Sequence, residues 1–234
     1  MSDKLKKDGP VLLQNEIRPV SRRKFFGMMG AGGAAVMVTA ASCSKDKSPV
    51  HNTSGVDLGS GDTGILNYAY ALEQLEAAFY IQVIMTPFSG INDIEMSYLK
   101  DIRDHEIAHR EFFKAALASK AIQDLQVDFS KIDFTSRDSV LGTAMAFEDL
   151  GVSAYNGAGK LITNPDYLTL AGKIVSVEAR HAAWVRDMVK AGSFADIDVV
   201  DMNGMDMAKK PDDVLTTASV YLKTKINASN LPTS

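Results

Sequence analysis

Apolar residues recur every three or four positions along four segments of the chain, which is the spacing of one face of an α-helix. The first of these stripes runs through residues 65–83, and Pro87 and Gly90 mark its end. The second predicted helix covers residues 93–119. Only a short turn separates the two helices, so we expect them to form an antiparallel pair.

The third and fourth stripes are bounded by strong capping residues. Ser136 is a typical N-cap for the third helix, and Asn164 caps the fourth with Pro165 at its first position. Gly192 ends the fourth helix, and a short fifth helix is predicted from Pro211. The last ten residues show no such pattern, and we expect them to be frayed.

The connections between the helices define the topology. Short turns join the first helix to the second and the third to the fourth, whereas residues 120–135 form a 16-residue link with little helical pattern. A helix of twenty residues is about 30 Å long, which an extended link of this length can span. The sequence therefore predicts an all-α fold, a four-helix bundle built from two antiparallel hairpins and one long crossover.

The residues ahead of the bundle differ in composition. Residues 1–24 are polar and basic. Residues 27–42 are apolar and rich in Gly and Ala, and they fall short of the roughly 20 residues that a membrane-spanning helix needs. The arginine pair at positions 22–23 resembles a twin-arginine export signal. We therefore expect residues 1–42 to direct export of the folded chain to the periplasm or cell envelope.

Cys43, the only cysteine, directly follows this leader. The sequence TAASC resembles a lipoprotein cleavage box in which Cys43 carries the lipid, and an ordinary cleavage site is the alternative. Residues 43–62 are rich in Ser, Gly and Asp and are expected to form a flexible tether. The remaining predicted units are the bundle at 63–192 and a C-terminal extension at 193–234. A lipid at Cys43 is the one membrane attachment that we expect.

Charge and cysteine content limit the classes of function. Residues 1–42 hold seven Lys and Arg against three Asp and Glu, which leaves 18 basic and 26 acidic residues after the leader. This acidic balance argues against nucleic-acid binding. A single cysteine excludes an internal disulfide and a thiolate metal cluster, so Glu, Asp or His must hold any metal.

Polar residues interrupt the apolar stripes at equivalent places in the two hairpins. Setting LEQLEAAFY over FEDLGVSAY, and HEIAHR over VEARHA, aligns the first hairpin with the second. Each hairpin supplies one Glu from its first helix and a Glu-x-x-His pair from its second, and residues three apart share a helix face. The two sets are Glu73, Glu106 and His109, and Glu148, Glu178 and His181.

Positions along the hairpins place these glutamates level with one another. The midpoint between Glu73 and Glu106 falls in the first turn, and that between Glu148 and Glu178 falls at Thr163 in the second turn. At about 1.5 Å per helical residue, all four lie roughly 20 Å from the turns. The four carboxylates are therefore expected in the middle of the bundle.

Four carboxylates in a bundle core repel one another and lose hydration, which destabilises the fold unless cations are present. Two divalent metal ions balance the four negative charges. Four oxygen and two nitrogen donors suit iron(II) or manganese(II). Zinc stays an alternative, although a structural zinc ion usually takes four ligands and would leave donors unused.

The doubled Glu and Glu-x-x-His pattern resembles the ferritin-like di-metal carboxylate superfamily, with its rubrerythrin-like and manganese-catalase-like members, over residues 65–191. In that family, the first Glu of each hairpin binds one metal, the Glu of each Glu-x-x-His bridges both, and each His gives one nitrogen. The resemblance implies these roles for Glu73 and Glu148 as terminal ligands, Glu106 and Glu178 as bridging ligands, and His109 and His181 as nitrogen donors.

Neighbouring positions add to the resemblance and depart from it. Tyr80 and Tyr155 stand seven residues after a terminal Glu, where rubrerythrin-like members have a tyrosine, and we expect them to hydrogen-bond the ligand carboxylates. Some relatives have an acidic residue directly before the Glu of Glu-x-x-His. His105 and Val177 occupy those places here, and His105 is expected to face away from the metals.

Glu76 also faces inward, and Gly151 is its counterpart in the second hairpin. Glu76 is either a seventh metal ligand or a neutral, hydrogen-bonded side chain. Gly151 either leaves a gap for a small oxidant or allows two helices to pack closely.

Together these features predict an exported di-metal protein that handles O2 or peroxide, or that oxidises iron(II). Ferroxidase, peroxidase and catalase-like activities are the candidates. The alternative is a non-catalytic, stress-related or envelope binding module that uses metal only as a structural clasp. A homo-oligomer stays open, but a closed storage cage is not expected because the N-terminal tether would have to fit inside its shell.

Overall fold

The helices of the chain begin and end close to where the sequence pattern places them. The computed structural model describes residues 55–233. Within that range it contains the helices α1 (Gly61–Met85), α2 (Asp93–Leu117), α3 (Arg137–Gly159), α4 (Pro165–Val189) and α5 (Pro211–Ala218). Helices α1 and α2 form one antiparallel hairpin, and α3 and α4 form the other. This arrangement confirms the predicted four-helix bundle with a short additional helix.

Capping residues account for the helix ends. The side chain of Asn92 accepts a hydrogen bond from the Glu95 N–H, and the Glu95 carboxylate accepts one from the Asn92 N–H, which forms a capping box at the start of α2. Ser136 and Asn164 cap α3 and α4, as predicted, and the side chain of each accepts a hydrogen bond from a backbone N–H of the first turn. Gly192, just beyond α4, has a positive φ of 84°, a conformation that glycine adopts without strain.

Helices α1 and α3 are buried on most of their faces, whereas α2 and α4 bury one stripe each. Phe79 of α1 is fully buried and meets Phe147 of α3 edge to face, with ring centroids 5.1 Å apart. Burying a side chain of this size stabilises the fold by about 1.5–3 kcal/mol. The two inner helices thus form the centre of the bundle, and the outer helices cover them.

Two buried amide side chains of α1 hold the long crossover against the bundle. Asn67 donates a hydrogen bond to the Lys120 carbonyl oxygen (3.0 Å) and accepts one from the Ile122 N–H (2.9 Å). About two helical turns further along the same face, Gln74 accepts a hydrogen bond from the Leu125 N–H (2.7 Å). These bonds pair backbone groups that an irregular segment would otherwise bury without partners.

The two ends of the described chain meet in a short parallel pair of strands. Strand β1 (Val56–Asp57) pairs with strand β2 (Ile226–Asn227). Leu58 is fully buried and Leu231 is 7% exposed, so both contribute to the core. The expectation that the last ten residues are frayed was therefore wrong, because strand pairing and burial order them. The folded part also begins earlier than the expected boundary at residue 63.

The predicted export signal at residues 1–42, Cys43 and most of the predicted tether lie outside the described residues. Between residues 55 and 233, no helix combines the length and the apolar character that crossing a membrane requires.

Candidate metal centre

The four helices of the bundle bring the six predicted ligand residues together at its centre. The four glutamates are fully buried, with 0% of each residue exposed. His181 is 4% exposed, and the side chain of His109 is 13% exposed. The contributions are Glu73 from α1, Glu106 and His109 from α2, Glu148 from α3, and Glu178 and His181 from α4.

These side chains form two overlapping groups of potential metal ligands, and within each group one atom per residue lies within 4.8 Å of all the others. Glu106 and Glu178 belong to both groups. The first group is Glu73, Glu106, His109 and Glu178, and the second is Glu106, Glu148, Glu178 and His181.

The histidine nitrogens lie close to the carboxylate oxygens, but these contacts do not have hydrogen-bond geometry. His109 Nδ1 lies 2.7 Å from Glu178 Oε1, and His181 Nδ1 lies 2.8 Å from Glu106 Oε1. Even so, within the described chain both nitrogens and both of these oxygens are buried without a hydrogen-bond partner. Buried polar atoms almost always have a partner, so eight unpartnered atoms on these six residues indicate side chains that converge on common points. Such a set of carboxylate and imidazole donors fits metal ions.

Two tyrosines orient the glutamates that belong to only one group. The Tyr80 hydroxyl donates a hydrogen bond to Glu148 Oε1 (2.5 Å), and the Tyr155 hydroxyl donates one to Glu73 Oε1. Each tyrosine therefore contacts the carboxylate of the opposite hairpin. In Glu73 and Glu148, only Oε2 is left without a hydrogen-bond partner in the described chain. In Glu106 and Glu178, both carboxylate oxygens are left without one. Burial raises the pKa of both tyrosines well above the usual value, which keeps them protonated as donors.

Electrostatics show that the cluster holds protons when no cation is present. Burial, together with the charge of Glu178, raises the pKa of Glu106 well above its usual range. Burial also raises the pKa of Glu148 to about 7. For the histidines burial acts in the opposite direction, but contacts with carboxylates raise the pKa of His109 to about 9 and that of His181 to about 12. Burial thus raises the pKa of the two glutamates, and neighbouring carboxylates raise the pKa of the two histidines.

Glu76 lies beside this centre but in neither group. It is 4% exposed, its Oε2 has no partner in the described chain, and burial raises its pKa well above the usual range. A Cβ atom at Gly151 would lie 3.0 Å from Glu76 Oε1. Glycine at this position therefore accommodates the Glu76 carboxyl group, which occupies the space opposite it.

His105 does not face away from the centre, and the expectation that it does was wrong. Its Nδ1 lies 2.9 Å from His181 Nε2, on the side of the ring opposite the nitrogen that faces the carboxylates. The side chain reaches sideways from α2 to α4, which the helical face alone did not reveal. The signal in the sequence was its place directly before Glu106, where some relatives of the resembled superfamily carry an acidic residue.

Comparison with known proteins agrees with this architecture. The family model of the ferritin-like domain matches residues 61–191, a range that spans all four bundle helices and all six residues of the two groups. A comparison with curated proteins gives no match. Because the family model matches more than half of the chain, the chain belongs to the ferritin-like family.

Proposed function

We propose that the chain binds two divalent metal ions, iron or manganese, at the centre of the bundle. Glu73 and Glu148 would each hold one ion, and Glu106 and Glu178, which belong to both groups, would hold both. His109 and His181 each donate Nδ1. The single observation that carries this proposal is the set of eight buried, unpartnered atoms on these six side chains. The number of unpartnered atoms agrees with these roles. Each proposed terminal Glu has one oxygen without a partner, and each Glu that belongs to both groups has two.

Charge supports two ions rather than one. Four buried carboxylates carry four negative charges when ionised, which two divalent ions balance. Oxygen and imidazole donors without thiolates favour iron or manganese. Zinc is less suited, because a structural zinc ion takes four ligands and leaves donors unused.

We further propose that the loaded centre handles O2 or peroxide, or oxidises iron(II). Two adjacent reducible ions supply the redox capacity for such chemistry. The protein excludes bulk water from the centre through full burial of the glutamates and fixes the terminal carboxylates through Tyr80 and Tyr155. Disproportionation needs no external electron donor, because two peroxide molecules give two waters and one O2. A peroxidase reaction would require a separate donor.

The N-terminal features complete the proposal. Residues 1–42 direct export to the periplasm or cell envelope, and Cys43 provides a lipid anchor. Export of a folded chain is compatible with loading of the metals before transport.

Metal analysis tests the site directly. The purified chain, loaded anaerobically with iron(II) or manganese(II), is expected to hold two ions after desalting. The double variant Glu73→Ala with Glu178→Ala should lose both, while Glu111→Ala, at an exposed position on α2, should retain them. Fewer than one ion per wild-type chain would refute the di-metal site.

A structural clasp is the second candidate, because the donors come from all four helices and bound metal would tie them together. Both candidates predict that metal stabilises the fold, by about 2.7 kcal/mol at a hundred times the Kd. They differ in turnover. A catalyst consumes peroxide, or O2 with iron(II), and loses this activity in the double variant, whereas a clasp shows none at full loading.

A further inference from the structure

The rings of His105 and His181 form an edge-to-edge pair. His105 Nδ1 lies 2.9 Å from His181 Nε2, the ring planes differ by 11°, and the centroids are 5.1 Å apart. This centroid distance corresponds to one hydrogen bond plus the radii of two rings lying nearly in one plane. The contact is therefore a directed hydrogen bond between ring nitrogens and not a stack of ring faces.

The direction of this hydrogen bond follows from the proposed metal site, on which this inference rests. An imidazole that binds metal through Nδ1 carries its hydrogen on Nε2. His181 Nε2 must then donate to His105 Nδ1, and the hydrogen of His105 is on its own Nε2. The exposed position of His105 lets that N–H reach water. His105 thus acts as a hydrogen-bond acceptor for His181.

We propose that His105 is a positioning residue that fixes the tautomer and ring orientation of His181, and that it makes the two metal positions unequal. Groups that accept the second N–H of a metal-bound histidine orient the ring and raise its affinity for metal. The position that includes Glu148 and His181 has this support. It is therefore the tighter of the two and fills first.

The second hairpin lacks the equivalent residue. Val177 precedes Glu178 as His105 precedes Glu106, and a valine side chain cannot accept a hydrogen bond. The two histidines also differ in exposure. The side chain of His109 is 13% exposed, whereas that of His181 is 5% exposed, so His181 is the more enclosed of the two. Two donor sets that are alike in composition are thus held with different firmness.

A manganese(II) titration of the full purified chain, freed of metal with a chelator, tests the inference. The wild type is expected to bind two ions in separate steps. His105→Ala should weaken the first step by about 10- to 100-fold and leave the second nearly unchanged, so that the two steps merge. His105→Asn, which keeps an acceptor oxygen, should restore most of the first step, and Val177→Ala should leave both steps unchanged.

The outcomes separate this inference from the proposed function. Two bound ions with wild-type affinities in His105→Ala would refute the positioning role, as would His105→Asn that binds no better than His105→Ala. A wild-type chain that binds no manganese(II) and no iron(II) would instead refute the di-metal site itself. Helical circular dichroism and thermal melting of the metal-free variants verify that each one is folded.

Discussion

In the metal-free chain, the free energy of unfolding should fall as the pH rises from about 5 to about 8. The pKa of Glu148 is raised from 4.5 to about 7, and that of His109 from 6.5 to about 9. In both cases the folded state binds protons more tightly than the unfolded state. Since stability falls with rising pH wherever the folded state holds more protons, both shifts act in the same direction.

The size of the effect follows from the shifts. One pKa unit corresponds to about 1.36 kcal/mol, so Glu148 alone lowers the free energy of unfolding by about 3 kcal/mol between pH 4.5 and pH 7. His109 contributes a loss of similar size, about 3 kcal/mol, between pH 6.5 and pH 9. The two losses do not simply add, because both groups interact with Glu178.

Urea denaturation followed by circular dichroism, with chelator present and at several pH values across this range, measures the loss. With saturating manganese(II) the trend should reverse, because the ligands must release protons to bind metal. Glu148→Gln should reduce the loss below pH 7 without abolishing it, because the pKa values of Glu73, Glu76 and Glu106 are raised as well. Glu111→Gln on the surface of α2 should not change the loss. A metal-free chain whose stability is constant or increases over this range would refute the electrostatic argument.

Three further substitutions test other parts of the structure. Gly157→Ala should destabilise the chain by about 1–3 kcal/mol in urea denaturation, since its Cβ would lie 1.7 Å from a backbone carbonyl oxygen of the C-terminal extension. The control Gly142→Ala, on the same helix with nothing within 4 Å, should not. Asn67→Ala should cost about 3 kcal/mol in the same assay, because it leaves buried backbone groups unpaired. Tyr155→Phe should weaken manganese(II) binding about 10-fold in a competition titration by freeing the Glu73 carboxylate, with the fold unchanged.

The sequence was sufficient to predict the bundle, because both kinds of signal it uses are local. Apolar spacing identifies the helix faces, and capping residues such as Asn164 identify the ends. The candidate site was accessible for a related reason. In an antiparallel hairpin, distance from the turn fixes which residues are level, so Glu73 and Glu106 could be paired without a structure.

Features that depend on distant parts of the chain were not predictable in this way. Strands Val56–Asp57 and Ile226–Asn227 are two residues each, and their pairing joins opposite ends of the described chain. Asn67 appears in the sequence as one polar residue on a helix, yet it pairs backbone groups of the crossover. The direction of His105 depends on the distance between α2 and α4, which helical periodicity does not contain.

The departures from the internal repeat lie around the candidate centre, and they show how a duplicated hairpin becomes asymmetric. Glu76 and Gly151 are repeat counterparts that face each other, and a Cβ at Gly151 would already lie 3.0 Å from Glu76 Oε1. The Glu76 carboxyl group thus takes the space that the glycine leaves, and the two halves of the repeat differ there. His105 and Val177 break it a second time. The repeat therefore preserves the six potential ligands, while the residues that differ between its halves make their surroundings unequal.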